Sequence, residues 1–212
     1  MTTLFSVDFE NGLLFDPVNG FDLITVSGGK LEVLATAKHD GVYGLSASPV
    51  NGYISGGARM VHNPATGKFR QAFWMSPGSI VIPSGSFLCI ARNFHYDLSQ
   101  QMYGVFLGWN GTSFTLGAGL AGNTLAVTSF SADYVITNAW HLVEIYWQKG
   151  TPGSLEFYID GVLKETLSTN NDLCWITTPG IGGNLRAGAF AISGSVLFDR
   201  WRANNDGGLI GP

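Results

Sequence analysis

Two glutamates and two tyrosines, set in one short stretch, have the types and spacing for chemistry on a sugar. The stretch runs from Trp140 to Glu165, WHLVEIYWQKGTPGSLEFYIDGVLKE. In its first part Glu144, Tyr146 and Gln148 alternate with Val143, Ile145 and Trp147. In its second part Ser154, Glu156, Tyr158 and Asp160 alternate with Leu155, Phe157 and Ile159. Strict alternation is the mark of a strand with one buried face and one wet face. Glu144, Glu156, Tyr146 and Tyr158 therefore belong to wet faces, with the carboxylates and phenols that a glycan groove uses.

The elements that must position these groups follow from the same pattern. Between the two strands KGTPG supplies Pro152 and two glycines to turn the chain. Asp160-Gly161 then suits a two-residue type I′ hairpin into a third strand. Similar short strands cover the rest of the sequence. Phe5, Val7 and Phe9 alternate with Ser6, Asp8 and Glu10, and the run ends at Asn11-Gly12. MYGVFLGW and TSFTLGAG flank Asn110-Gly111, and SVLFDRW closes the series. About fifteen strand candidates predict two antiparallel sheets of six or seven strands in one domain over residues 1–212. Twenty-nine glycines and 13% aromatic residues fit an all-β chain with many tight turns.

The run W-H-x-V-E-I-Y, a glycine-rich break and L-x-F-Y-I-D-G-V resembles the central hairpin of concanavalin A-like, laminin-G-type jelly rolls. SVDFENG and LFDRWRANNDGGLIGP resemble the first and last strands of that domain type. The resemblance implies an all-β, two-sheet antiparallel jelly-roll sandwich. It also implies three kinds of site. Hydrolases of this type carry two glutamates on one strand as E-x-D-x-E, for the paired-carboxylate chemistry of glycosidic cleavage. That pattern is absent here, and the lyase alternative has only His95, Tyr96, His141 and Tyr146 as raw material. The expectation is a protein that is not an enzyme.

Several members of this fold hold a structural calcium where the first strand, an early loop and the last strand meet. The matching positions are Asp8 or Glu10, Asp40-Gly41 and Asp199. Calcium takes six to eight oxygens, including backbone carbonyls, so few side chains suffice. The alternative is that Asp40 is a turn residue and that Asp8 and Asp199 sit on ordinary outward positions. For sugar binding the candidates are Trp109, Tyr146, Tyr158 and Trp175, whose rings can stack on pyranose C–H faces or serve a protein interface.

Charge and composition exclude other classes. Net charge is −4 with no basic cluster, which argues against nucleic acid. From Leu98 to Ala132 there is no Asp, Glu, Lys or Arg, but glycines interrupt the run before it reaches the roughly 20 residues of a spanning helix. No basic n-region or apolar h-region opens the chain, so synthesis in the cytoplasm without a signal peptide is expected. Cys89 and Cys174 are expected as free thiols, with a Cys89–Cys174 disulfide as the alternative. Charged residues are only 12%, and both faces of the strand around Tyr103 are apolar. Residues 98–132 are therefore expected to form a contact in a homo-oligomer or larger assembly, through Tyr103, Val105, Leu107 and Trp109. The expected function is a non-catalytic structural or adhesive subunit, most plausibly on a phage virion surface; the alternatives are a glycan-binding module and, well behind, a glycan-active enzyme.

Overall fold

The computed structural model describes residues 3–13, 23–26, 29–48, 56–59, 66–94, 101–124, 126–184, 192–208 and 210. Alternating runs become strands wherever the wet and dry faces are distinct. In chain order these are β1 (Thr3–Val7), β2 (Leu23–Val26), β3 (Lys30–Leu34), β4 (Gly44–Ser48), β5 (Gly56–Arg59), β6 (Lys68–Ser76), β7 (Ser86–Phe94) and β8 (Gln101–Trp109). They continue as β9 (Phe114–Ala121), β10 (Val127–Phe130), β11 (Tyr134–Ile136), β12 (His141–Gln148), β13 (Gly153–Ile159), β14 (Val162–Thr169), β15 (Thr178–Asn184) and β16 (Val196–Asn204).

The strands form two eight-stranded antiparallel sheets packed as a sandwich. Sheet A runs β14-β13-β12-β6-β16-β4-β3, with β1 also on β16. Sheet B runs β10-β9-β8-β7-β15-β5-β2, with β11 also on β9. The all-β jelly-roll expectation holds. The meander is as the sequence implies: β12 pairs with β13, and β13 with β14. Asp160 and Gly161 both have positive φ, 53° and 74°, as a type I′ turn requires.

The core lies between the sheets. Sheet A contributes Phe69, Phe73, Met75, Val143, Ile145, Trp147, Leu155 and Phe157, all fully buried. Sheet B meets them with Leu88, Ile90, Tyr103, Val105, Leu107, Leu116 and Leu120. This corrects the contact surface expected on β8. Tyr103, Val105 and Leu107 are each 0% exposed, because β8 is a central strand and that face points at sheet A. Its outward positions are those of Gly104, Phe106 and Gly108. Both cysteines are free and buried. No helix among the described residues is long and apolar enough to cross a membrane.

Burial raises the pKa of Tyr103, whose hydroxyl accepts only a 3.4 Å bond from Asn93 Nδ2. The unfolded chain ionises this phenol near the ordinary 10.0, whereas the folded chain keeps it protonated. Folding stability is then complete below that pH and falls above it. Each such group contributes about 1.4 kcal/mol per pH unit to the decline. Denaturant titrations at rising alkaline pH should show this slope, and Tyr103→Phe should reduce it by one group's share.

Candidate functional site

The outward face of sheet A is where the charged and phenolic groups gather. Alternation turns Phe69, Phe73 and Met75 of β6 inward, which leaves Lys68, Arg70, Ala72 and Trp74 outward. Antiparallel pairing sets Tyr146 opposite both Glu156 and Arg70, and Arg70 opposite Asn204. The next row holds Tyr158, Glu144, Ala72 and Arg202. Two guanidiniums, two carboxylates and two phenols thus occupy two adjacent rows across four strands.

Arg70 organises the cluster. It is 4% exposed, and Glu144, its ion-pair partner through Nη1, is 5% exposed. Arg70 Nη2 lies 3.8 Å from Glu156 Oε2. Its guanidinium carbon sits 4.8 Å from the ring centre of Tyr146 and 5.3 Å from that of Tyr158. Arg70 Nε donates to the Gly207 carbonyl at 2.9 Å, so the turn after β16 closes over this side of the site. Gly207 has φ 78°, and a Cβ there would meet the Tyr146 ring at 2.7 Å. That turn is held by Asn204, whose Nδ2 donates to the Gly208 carbonyl at 2.8 Å.

Glu156 and Tyr158 remain half-exposed on β13, between β12 and β14. The Tyr158 hydroxyl donates to Glu156 Oε2 in a short bond. Burial first, and then the bond to Glu156, raise the Tyr158 pKa; Arg70 opposes both. Tyr158 therefore stays a proton donor, with a carboxylate acceptor beside it. Arg202 is half-buried in the same row and has no ion-pair partner among the described residues. Beyond it, His39 stacks on Trp74 at 3.8 Å and meets Trp140 edge-on at 5.5 Å.

Of the sugar-binding candidates, only Tyr146 and Tyr158 come together. Trp109 ends β8 in the other sheet, packed edge-on to Phe114 at 5.0 Å. Trp175 is 39% exposed, with Lys149 Nζ 3.3 Å from its ring centre. His141 is spent on Asp160, 2.8 Å from Nδ1, and His95 and Tyr96 lie outside the described residues. Sequence reasoning missed Arg70, Arg202 and Asn204. Alternation in FRQAFW turns Arg70 outward, but nothing local says that β6 lies beside β12.

The residues considered for calcium do meet at one loop, but as acceptors for N–H groups. Glu10 takes the Val42 amide on both oxygens, at 3.0 and 2.8 Å. Asp199 Oδ2 takes the amides of His39 and Asp40 at 2.9 and 3.1 Å, and Oδ1 takes that of Arg200 at 2.8 Å. Asp8 accepts the Glu10 amide at 3.2 Å. Asp40 pairs with the Arg200 guanidinium. Gly41, with φ 68°, is required because a Cβ would strike the Glu10 carboxylate. The donor set does not fit a cation: its oxygens are aimed at hydrogens, and the described residues hold no group of three or more metal-ligating side chains.

No family model matches this sequence, and neither does any curated protein. Solved structures do resemble it. An endo-β-1,4-glucuronan lyase from the fungus Trichoderma reesei matches with TM-score 0.70 and 16% identity over 96% of both chains. A carbohydrate esterase from the Shiga toxin-encoding bacteriophage phi24B matches with TM-score 0.64 and 14% identity, over 95% of this chain and 97% of that one. The binding domain of botulinum neurotoxin serotype D gives TM-score 0.65 and 14% identity, with 98% of this chain covering 48% of that one. These likenesses establish a shared β-sandwich fold among glycan-related proteins. They also overturn the expectation of a protein without catalytic activity. Two neighbours that match end to end are a lyase and an esterase, so a missing E-x-D-x-E strand is no argument against an enzyme.

Asp199→Ala should strand three backbone N–H groups and cost about 2 kcal/mol or more, lowering Tm by about 4–8 °C. Excess chelator should leave the Tm of the unaltered chain unmoved, as expected of a loop held by carboxylate–amide bonds. Thermal melts of both samples check this.

Proposed function

We propose that this chain is a concanavalin A-like jelly roll that binds and cleaves an anionic, uronate-containing glycan on the outward face of sheet A. The observation that carries the reading is the Arg70–Glu144 pair, buried on a face that a sandwich normally leaves to water. Taking two charges out of water is costly and adds little net stability. The pair earns a functional reading because it backs a phenol donor and a carboxylate acceptor that are half-exposed. The neighbours support the same chemistry, one being an endo-β-1,4-glucuronan lyase and another a botulinum neurotoxin type C whose cell entry depends on interaction with two ganglioside molecules. A virion setting rests on the phage-encoded esterase neighbour alone and stays a proposal.

The residues divide the work as follows. Arg202, with no ion-pair partner among the described residues, receives the sugar carboxylate, and its charge acidifies the C–H next to that group. Glu156 takes the proton from that carbon. The neighbouring C–O bond of the glycosidic link breaks as a carbon–carbon double bond forms. Tyr158 gives its proton to the leaving oxygen. Arg70 stabilises the charge passing between Glu156 and Tyr158.

The test is to incubate the chain with β-1,4-glucuronan and, separately, with a neutral β-glucan, following unsaturated product by ultraviolet absorbance. Product is expected from the acidic polymer only. Tyr158→Phe should lower kcat by about 10²–10⁴ with KM little changed, and Arg202→Ala should chiefly raise KM. Because Tyr158 keeps its proton above the ordinary 10.0, its alkaline limb should lie above that pH. New reducing ends without unsaturation would refute the elimination, and an inert chain across a panel of uronate polymers would refute the whole reading.

A further inference from the structure

The outward face of sheet B carries a second set of groups, on the far side of the core from Arg70. Gly104, Phe106 and Gly108 of β8 lie opposite Gly119, Gly117 and Thr115 of β9. Glycine weakens a strand, and persists inside one where a ligand or another backbone comes close. At Gly119 the chain fills the space itself: a Cβ would meet Val127 Cγ1 at 2.5 Å and Phe130 Cδ1 at 3.2 Å. Gly104 is likewise covered, by the Phe106 ring at 2.8 Å and by Gln101. Gly108 and Gly117 differ. A Cβ there would also meet the chain, but its nearest side-chain neighbours are polar: Thr115 Oγ1 at 2.8 Å at Gly108, and Asp133 Oδ1 and Ser131 Oγ at 3.0 and 3.5 Å at Gly117.

Those two glycines floor a groove of about 530 Å³. That is within the range of about 300–1,000 Å³ typical of small-ligand sites. Phe87 and Phe130, 46% and 53% exposed, stand on either side of Phe106. Their ring centres are 5.4 and 6.0 Å from that of Phe106. Asp133 is the one titratable group on the lining. Its loop is fixed from both sides. Ser131 N and Oγ bond the Ala118 carbonyl and amide at 2.9 and 2.8 Å, and Glu165 accepts the Ala132 amide at 2.9 Å. The Asp133 carboxylate is thus held over a glycine floor between aromatic walls.

We infer that this groove is a second saccharide site, for an uncharged sugar. Exposed phenyl faces suit the C–H faces of a pyranose, and Asp133, Thr115 and Ser86 suit its hydroxyls. A carboxylate with no cation on the lining repels a uronate or a sialic acid, so this site prefers the opposite charge class from sheet A. A second copy of the chain is a poorer occupant. It would bury Asp133 without a partner, a penalty of several kcal/mol for an unpaired charge, whereas sugar hydroxyls hydrogen-bond it. Glycine floors also give a protein partner no side chains to interlock with.

The test uses the full chain, isotope-labelled, titrated with cellohexaose as the neutral probe and with glucuronan oligosaccharide as the acidic one. Cellohexaose should shift the amides of Gly108, Gly117 and Asp133, and the acidic probe should leave them in place. Phe130→Ala should weaken the neutral probe by about tenfold, as the loss of one stacked ring predicts. Asp133→Asn should also weaken it, while Arg202→Ala should leave it unchanged. Both groove variants alter exposed side chains, so melts near that of the unaltered chain are expected. Amides unmoved at about 10 mM cellohexaose would overturn the inference. So would shifts of the same amides that follow protein concentration alone, which would assign the groove to a second copy.

Discussion

The Arg70–Glu144 pair is the constraint on which the outward face of sheet A depends. A buried ion pair adds little net stability, but removing one partner leaves a buried charge that costs about 3–5 kcal/mol. Its value is therefore positional. It ties β6 to β12 in one register, because a slip of one residue would send Arg70 into the core against Trp147 and Leu155. Through Nε the same guanidinium also fixes the turn at Gly207, so the last strand is clamped onto the rows it completes. Glu156 and Tyr158 inherit their geometry from this clamp, as both are within reach of the guanidinium.

Much of the fold could be read from alternation. Trp147, Phe157 and Ile159 announced their inner face, and Asp160-Gly161 announced its turn, because both signals are local. The site was legible only in half. Glu144, Tyr146, Glu156 and Tyr158 share one meander, so their common face follows from period two. Arg70 and Arg202 reach that face from strands distant in sequence, and pairing between distant strands leaves no local trace. The β8 strand failed differently. Alternation sorts faces only when one is polar, and here Tyr103, Val105 and Leu107 oppose a face of glycine and phenylalanine. Neither face names itself as inner until β7 and β9 are in place.

The loop at Gly41 shows how acids that a resemblance assigns to an ion can serve backbone amides. Carboxylates at Glu10, Asp40 and Asp199 do converge, as a calcium site would need. Convergence is not coordination, however. Each carboxylate has a hydrogen-bond donor of its own, and Arg200 brings a permanent positive charge to Asp40. A loop needing anchorage between two strands can get it from amides as well as from a cation. The sequence cannot distinguish these, because both use acids next to a glycine with positive φ.

The low charge of the chain is unevenly divided between the two outward faces. A surface short of charge was a reason to expect a protein contact. The uncharged run forms β8, β9 and β10, whose outward face is glycine, serine, threonine and phenylalanine beside Asp133 of the following loop. Such a surface stays compatible with water through its hydroxyls and exposed backbone while offering flat apolar rings. Sheet A does the opposite and concentrates guanidiniums and carboxylates in two rows. The two faces lie on opposite sides of a mostly apolar core, in which Gln71 and Asn93 are buried polar members bonded to Trp201 and Tyr103. The charged rows of sheet A and the aspartate beside sheet B are thus separated by the thickness of the sandwich, so that a surface substitution on one side leaves the groups of the other in place.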